Sequence, residues 1–231
     1  MSEQCFSFTI RSLNNQLPVA SVLCKVWNCS VSAQCGACLA SRELCNAPEQ
    51  TLHHVLSSCQ VSLSLKHRYT WRHNNILFAL RDLYTLTLGP AWDIAIDATV
   101  ATRDGNTIVY DQHTSTIPPD ILPTTTCRPD LTAIDRVQRK IHIMELTCPW
   151  DSAESFNNAQ ERKSDRYGPL IGDLSDIGWE VDFITVEIGV RGIIAPGTLS
   201  RHVLALNLDP NDKVSTEKVV NLLEMTVLIT P

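Results

Sequence analysis

The chain has 231 residues, of which 44% are hydrophobic and 19% charged. This composition supports one sizeable domain or two small ones and excludes a disordered tail, a collagen-like repeat or a coiled coil as the main structure. Nineteen basic against 25 acidic side chains leave a net charge of −6, which argues against a protein that wraps nucleic acid with its whole surface, so any such contact must be local. No stretch approaches the roughly eighteen uninterrupted apolar residues of a membrane span, and Met1-Ser2-Glu3-Gln4-Cys5 lacks the basic-then-apolar pattern of a signal peptide. The expectation is an intracellular, soluble protein without a membrane partner.

In that setting the 9 cysteines point to metal, catalysis or burial rather than disulfides. Cys5, Cys24, Cys29, Cys35, Cys38, Cys45 and Cys59 crowd the N-terminal part, and only Cys127 and Cys148 follow. Residues 1–62 therefore form a Cys-rich region with weak periodicity, which something other than a large core must hold together; metal is the natural candidate. From Trp71 to Leu86, Ile76, Leu77, Leu80, Leu83 and Tyr84 recur at helical steps, and Gly89-Pro90 ends the helix. Trp92, Ile94, Ile96, Ala98 and Val100 then alternate with smaller or polar residues ahead of Asp104-Gly105 and Ile108-Val109-Tyr110, which predicts a β-hairpin.

Pro118, Pro119, Pro123 and many threonines make 111–126 a loop. Strands over 129–135 and 140–148 follow, close enough in sequence to pair antiparallel, with Pro149 ending the second. Asp151 and Glu154 resemble a capping box that opens a helix running towards Gly178, with a break or kink expected at Gly168-Pro169. Another apolar strand covers 179–188, Pro196-Gly197 is a turn, and helices are expected over 199–208 and 214–228. The order is that of an α/β domain over 63–195 with mixed strand directions, followed by a C-terminal helical extension, 196–231.

Residues of one parity share a strand face. If Val137 and Lys140 close the turn, pairing puts Ile134 opposite Ile143, Thr132 opposite Glu145 and Asp130 opposite Thr147. Asp130 and Glu145 are then diagonal neighbours, roughly 7–8 Å apart, and able to share a divalent cation. A lone acid on a strand is ordinarily exposed or paired with a neighbour such as Arg128. Glu145, however, lies among Ile141, Ile143, Met144 and Leu146, where an uncompensated carboxylate is costly. At about 100° per residue, Phe156, Tyr167, Leu170 and Leu174 fall within about 40° of Lys163, with Arg166 at the edge of the stripe, about 60° away. Lys163 either snorkels to water or meets the acids.

Arg128-Pro129-Asp130, then Glu145-Leu146-Thr147-Cys148-Pro149-Trp150, then Glu161-Arg162-Lys163 with Tyr167 resemble the restriction-like endonuclease domain of site-specific non-LTR retrotransposons, within the PD-(D/E)XK nuclease fold. The run Cys45 to Cys59, followed by Arg68-Tyr69-Thr70-Trp71-Arg72-His73, resembles the zinc knuckle that precedes that domain. The likeness covers about 38–192. It implies a mixed sheet flanked by helices after a small Cys/His unit, and metal-dependent nicking of DNA. In that picture Asp130 and Glu145 hold Mg²⁺ or Mn²⁺, Lys163 orients the attacking water or a phosphate oxygen, and Tyr167 supports it. Arg166 fills the place of a basic residue that often precedes the tyrosine. Thr147 stands where the wider fold commonly has a lysine. Asp97, on the earlier strand, is a candidate third acid.

The knuckle pattern implied is Cys-x2-Cys-x8-His-x4-Cys. Cys45, His54 and Cys59 match its last three positions, but the first would fall at Arg42, which cannot ligate; Cys38 is taken as the fourth zinc ligand, with Cys35 as its competitor. The alternative is a set of buried free cysteines. His53 is expected to be exposed rather than a ligand. Lys66, His67, Arg68, Arg72, His73 and Arg81 form the most basic stretch. Arg68, Trp71 and Arg72, with Arg128 and Arg166, are the candidate nucleic-acid contacts; Tyr69 and Trp71 could equally be core residues at a helix start. The expected partner is DNA, with RNA or a reverse transcriptase supplied by another chain, since these residues account for only knuckle and nuclease. Action on chromosomal DNA implies the nucleus. The rival expectation is a non-catalytic nucleic-acid-binding or structural remnant of such an element.

Overall fold

The structure is a computed structural model that describes residues 3–29, 32–41, 49–64, 68–98, 101–104, 107–110, 116–123 and 125–206. Its centre is a four-stranded mixed sheet of β1 (Asp93–Ile96), β4 (Leu131–Asp135), β5 (Lys140–Thr147) and β6 (Glu180–Glu187), in that spatial order. β1 and β5 both run antiparallel to β4, whereas β6 is parallel to β5. A parallel neighbour needs a crossover, and α6 (Ala153–Asp176) supplies it.

Helix α5 (Arg68–Leu88) covers one face of the sheet, joined there by α7 (Thr198–Ala205), and α6 covers the other. On the first face Ile76, Leu77, Leu80 and Tyr84 of α5 pack on Leu131, Met144, Leu146, Ile184 and Val186. On the second, Tyr167, Leu170 and Leu174 of α6 pack on Ile134, Ile141 and Ile143. Both periodic stripes seen in the sequence thus face the sheet. β4 and β5 are buried along nearly their whole length, as expected of central strands covered on both faces.

Several local expectations are corrected. The turn between β4 and β5 is closed by Asp135 and Lys140, not by Val137 and Lys140, because the Asp135 carboxylate accepts the backbone N–H groups of Val137 and Gln138, both at 2.9 Å, and Arg139 takes a left-handed φ of 53°. The register moves by two residues: Thr132 faces Ile143 rather than Glu145, and Leu131 faces Met144. One step beyond that pair, Asp130 stands opposite Glu145 instead of diagonal to it, while Thr147 pairs with Glu187 of β6. Parity is unchanged, so both acids keep their shared face.

The alternating run at Trp92 does not fold back on Ile108. β1 joins the edge of the main sheet against β4, and β2 (Ala101–Asp104) with β3 (Thr107–Tyr110) forms a separate two-stranded sheet. The proline-rich loop carries neither helix nor strand in its described residues, yet Ile117 and Ile121 bury under α6 with the sheet.

Ser152, not Asp151, caps α6, its Oγ accepting from Ser155 N at 3.2 Å. The side chain of Asp151 is instead fully buried and gathers the loop after β6, accepting from Arg191 N at 3.1 Å, Arg191 Nε at 3.0 Å and Ile193 N at 3.2 Å. The helix runs unbroken through Pro169. Gly168 lacks the Cβ against which the proline ring would clash. The expected helix over 214–228 lies outside the described residues.

The N-terminal part contributes α1 (Glu3–Leu13), α2 (Ala20–Lys25), α3 (Gly36–Ala40), a π-helical turn at His54–Ser58 and α4 (Gln60–Ser64). Among the described residues, no helix is long and apolar enough to cross a membrane.

Candidate functional site

Two clusters of chemistry-bearing side chains stand out. The first is the Cys/His unit. Cys35 precedes α3 and Cys38 lies within it, while His54 and Cys59 stand at the two ends of the π-helical turn. At α-helical pitch, residues five apart point about 140° away from each other. The turn avoids this by closing an i to i+5 hydrogen bond, Cys59 N to His54 O at 2.6 Å, and both side chains reach one point.

Cys38 Sγ lies 3.2 Å from His54 Nε2 and 3.5 Å from Cys59 Sγ, and the ligand atoms of Cys35, Cys38, His54 and Cys59 all fall within 4.8 Å of one another. All four residues are buried. A tetrahedral zinc holds its ligand atoms roughly 3.5–4 Å apart, so this cluster could bind a metal such as zinc. Burial raises the Cys35 pKa, but hydrogen bonds from Cys38, Cys59 and Gln50 outweigh it and leave the thiol below its ordinary value. Burial, then the neighbouring His53, lower that of His54. Both shifts favour the deprotonated forms that ligate.

Cys38, the expected fourth ligand, stands in the cluster together with Cys35, its competitor; Cys45 lies outside the described residues. His53 is exposed, its ring edge-on to Trp150.

The second cluster lies where β4, β5, α5 and α6 meet. Glu145 is fully buried, and its Oε1 accepts from Asp130 N at 3.0 Å. The Asp130 carboxylate accepts from Leu146 N at 2.8 Å and lies 3.4 Å from His73 Nε2. Lys163 points inward between the acids, its ammonium bonded to Glu145 Oε2 and 3.7 Å from Asp130 Oδ2. The Tyr167 hydroxyl donates to Arg128 O at 2.9 Å. A cavity of about 380 Å³ opens over the cluster, lined by His73, Asp97, Asp130, Thr147, Lys163 and Arg166 among others.

These neighbours split the two acids. Burial raises the pKa of Asp130, but the His73 hydrogen bond and charge, then Lys163 and Leu146 N–H, hold it below the usual carboxylate range. Glu145 is pushed above that range by burial first and by the Asp130 charge second, with Lys163 only partly opposing. Burial lowers the pKa of His73, but the Asp130 hydrogen bond and charge outweigh it and raise the pKa overall. Tyr167 is pushed upward by burial and then by Glu145, so its hydroxyl remains a neutral donor.

Asp97 reaches the cavity wall, its N–H on Asp130 O at 2.8 Å, but its carboxylate is paired with Arg128 at 2.7 Å. Arg166 is exposed at the rim, its guanidinium 5.5 Å above the Tyr167 ring. Of the expected nucleic-acid contacts, Arg128 thus pairs with Asp97, and two on α5 also bond within the protein: Arg68 Nη1 donates to Ser62 Oγ at 3.2 Å and Arg72 Nη1 to Leu56 O at 3.4 Å. Both thereby tie α5 to the Cys/His unit. Trp71 is solvent-exposed.

Sequence reasoning left His73 within a basic stretch and missed its place beside Asp130. The signal was present. The same angular count puts His73 within about 40° of Leu77 and about 20° of Leu80, on the face of α5 that meets the sheet.

No family model matches the chain, and no curated protein matches it.

Proposed function

We propose that the protein is a metal-dependent endonuclease of the PD-(D/E)XK kind, nicking DNA by phosphodiester hydrolysis, and derived from a non-LTR retrotransposon. The carrying observation is that Asp130, Glu145 and Lys163, from two strands and a helix, converge beneath one cavity. Asp130 and Glu145 offer the oxygen donors that a hard cation prefers, and Mg²⁺ or Mn²⁺ held there would lower the pKa of a water and offset charge on the scissile phosphate. Lys163, 3.7 Å from Asp130 Oδ2, would orient that water or hold a phosphate oxygen. His73 keeps Asp130 ionised and oriented, and Tyr167 holds the backbone at Arg128, one residue before Pro129-Asp130. Arg166 at the rim is placed to meet a phosphate.

In this reading the Cys/His unit carries zinc and flanks the DNA-binding face, RNA or a reverse transcriptase is a further partner, and chromosomal DNA as target puts the reaction in the nucleus. The test is nicking of supercoiled plasmid in Mg²⁺ or Mn²⁺. Activity is expected from the intact chain and loss from Asp130→Ala and Glu145→Ala; nicking that survives either substitution overturns the proposal.

A second reading, a non-catalytic nucleic-acid-binding remnant, is favoured by the direct bond between Lys163 and Glu145, where a cation would otherwise sit. Tight DNA binding with no cleavage in any divalent metal would select it. Failure to bind DNA even at low salt, where phosphate contacts are strongest, would select a purely structural role.

A further inference from the structure

We infer that a second cavity, beside the charged one, receives a single unstacked nucleotide of the DNA substrate, so that the protein binds a site containing an unpaired base in preference to intact duplex. The inference rests on the nuclease reading for the identity of the substrate.

This cavity, of about 370 Å³, is built where the Cys/His unit approaches the end of β5. His53 contributes from the Cys/His unit, Tyr69 from α5, Thr147 and Trp150 from β5 and the segment after it, and Asn158 and Arg162 from α6. Tyr69, Thr147 and Arg162 line both cavities, so a polynucleotide passing through one continues into the other. The volume falls in the ordinary range for small-ligand pockets and is ample for one base and its sugar.

The lining chemistry differs sharply between the two. The charged cavity presents Asp97 and Asp130. Among the described residues no carboxylate lines the second, which offers hydroxyls, an amide, aromatic rings and the Arg162 guanidinium instead. That set repels neither phosphate nor sugar and can bond the polar edge of a base, while an exposed Tyr69 ring gives its π-face something to stack on.

A further sign lies on the shared wall. Thr147 is 5% exposed, and its buried Oγ1 has no hydrogen-bond partner among the described residues. A buried polar group left unpaired is costly and rare, and a bound base or sugar is the partner the position calls for. A base still in the duplex has its polar edge paired; to offer that edge to Thr147 it must leave the stack, and it does so most easily where it is mispaired.

The experiment uses the full chain and its Asp130→Ala variant with a fluorescein-labelled 25-base-pair duplex, fully paired or carrying one central cytosine–cytosine mismatch. Binding is read by anisotropy in Ca²⁺, and nicking is read separately in Mg²⁺ and Mn²⁺. The mismatched duplex is expected to bind about tenfold more tightly. Thr147→Val and Asn158→Ala should each bring the two affinities towards parity, and Asn158→Ala, which lines only the second cavity, should leave affinity for paired DNA and the melting temperature unchanged. Equal affinity for both duplexes overturns the inference, and if nicking persists the nuclease reading stands without it. A mismatch preference without nicking in either metal keeps the pocket and removes the nuclease. Absence of binding to either duplex removes both.

Discussion

The Cys/His unit and the acidic end of the sheet both gather polar side chains in buried surroundings, yet they stand in opposite relation to the fold. In the Cys/His unit the polar cluster is the core: among the described residues, Cys35, Cys38 and Cys59 have Ala37 and Val61 as partly buried apolar neighbours. In the sheet domain two apolar layers carry the fold, and Asp130, Glu145 and Lys163 interrupt it at one end. A polar cluster that supplies stability and one that draws on it look alike by burial alone. They separate when each is perturbed.

The largest effect is expected from Cys59→Ser or from chelation. Structural zinc contributes on the order of 10–16 kcal/mol to small metal units, so the Cys/His unit should unfold and become protease-sensitive between Gln50 and Ser64 while the sheet domain keeps its thermal transition. Metal content and limited proteolysis check this; simultaneous melting of the sheet domain would break the distinction between the two regions.

Next comes Lys163→Met, which leaves two adjacent acids without their buried ammonium. A loss of about 3–5 kcal/mol in denaturant unfolding of the metal-free protein is expected, together with loss of nicking. Gly189→Ala ranks third. An added Cβ would lie 1.9 Å from Asp151 Oδ1, forcing that carboxylate off Arg191 and Ile193 at a cost of about 1–3 kcal/mol, with no change in metal content.

The smallest effect on stability, and the sharpest contrast, belongs to Glu145→Gln. Because burial and Asp130 raise the Glu145 pKa, the protonated form is favoured on folding; that contribution is present below the ordinary carboxylate value of 4.5 and is lost as pH rises through the folded one. At pH 8 the ionised carboxylate is a burden, so the glutamine variant should melt at the same temperature as the parent or higher while nicking is abolished. The advantage should vanish at pH 4. A variant that melts well below the parent at pH 8 would place Glu145 among the groups that hold the domain together.

Much of this arrangement was legible in the sequence, for identifiable reasons. The stripes Ile76, Leu77, Leu80 and Tyr84 on α5 and Tyr167, Leu170 and Leu174 on α6 obey simple periodicity, and both face the sheet. That Asp130 and Glu145 share a face depends only on parity, which survived a two-residue error in register. The register itself depended on Asp135 capping its own turn, a side-chain-to-backbone contact that hydrophobic pattern does not encode. The alternating run of β1 was assigned to the wrong partner for a related reason: alternation says that a strand has two unlike faces but not which edge it joins. Cys35 was weighed only as a rival to Cys38, whereas the start of α3 brings both into one cluster. His73 was missed because its charge drew the reading towards solvent and away from the face it occupies.

Helix α5 serves both regions at once. Arg68 and Arg72, near its start, grip Ser62 and Leu56 beside the Cys/His cluster, and His73, further along, steadies Asp130. The two units thus share one helix while each keeps its own core. A chimera that grafts a foreign zinc finger upstream must preserve this first turn and a half, or it will inherit a misaligned acid even though every residue of the sheet is intact.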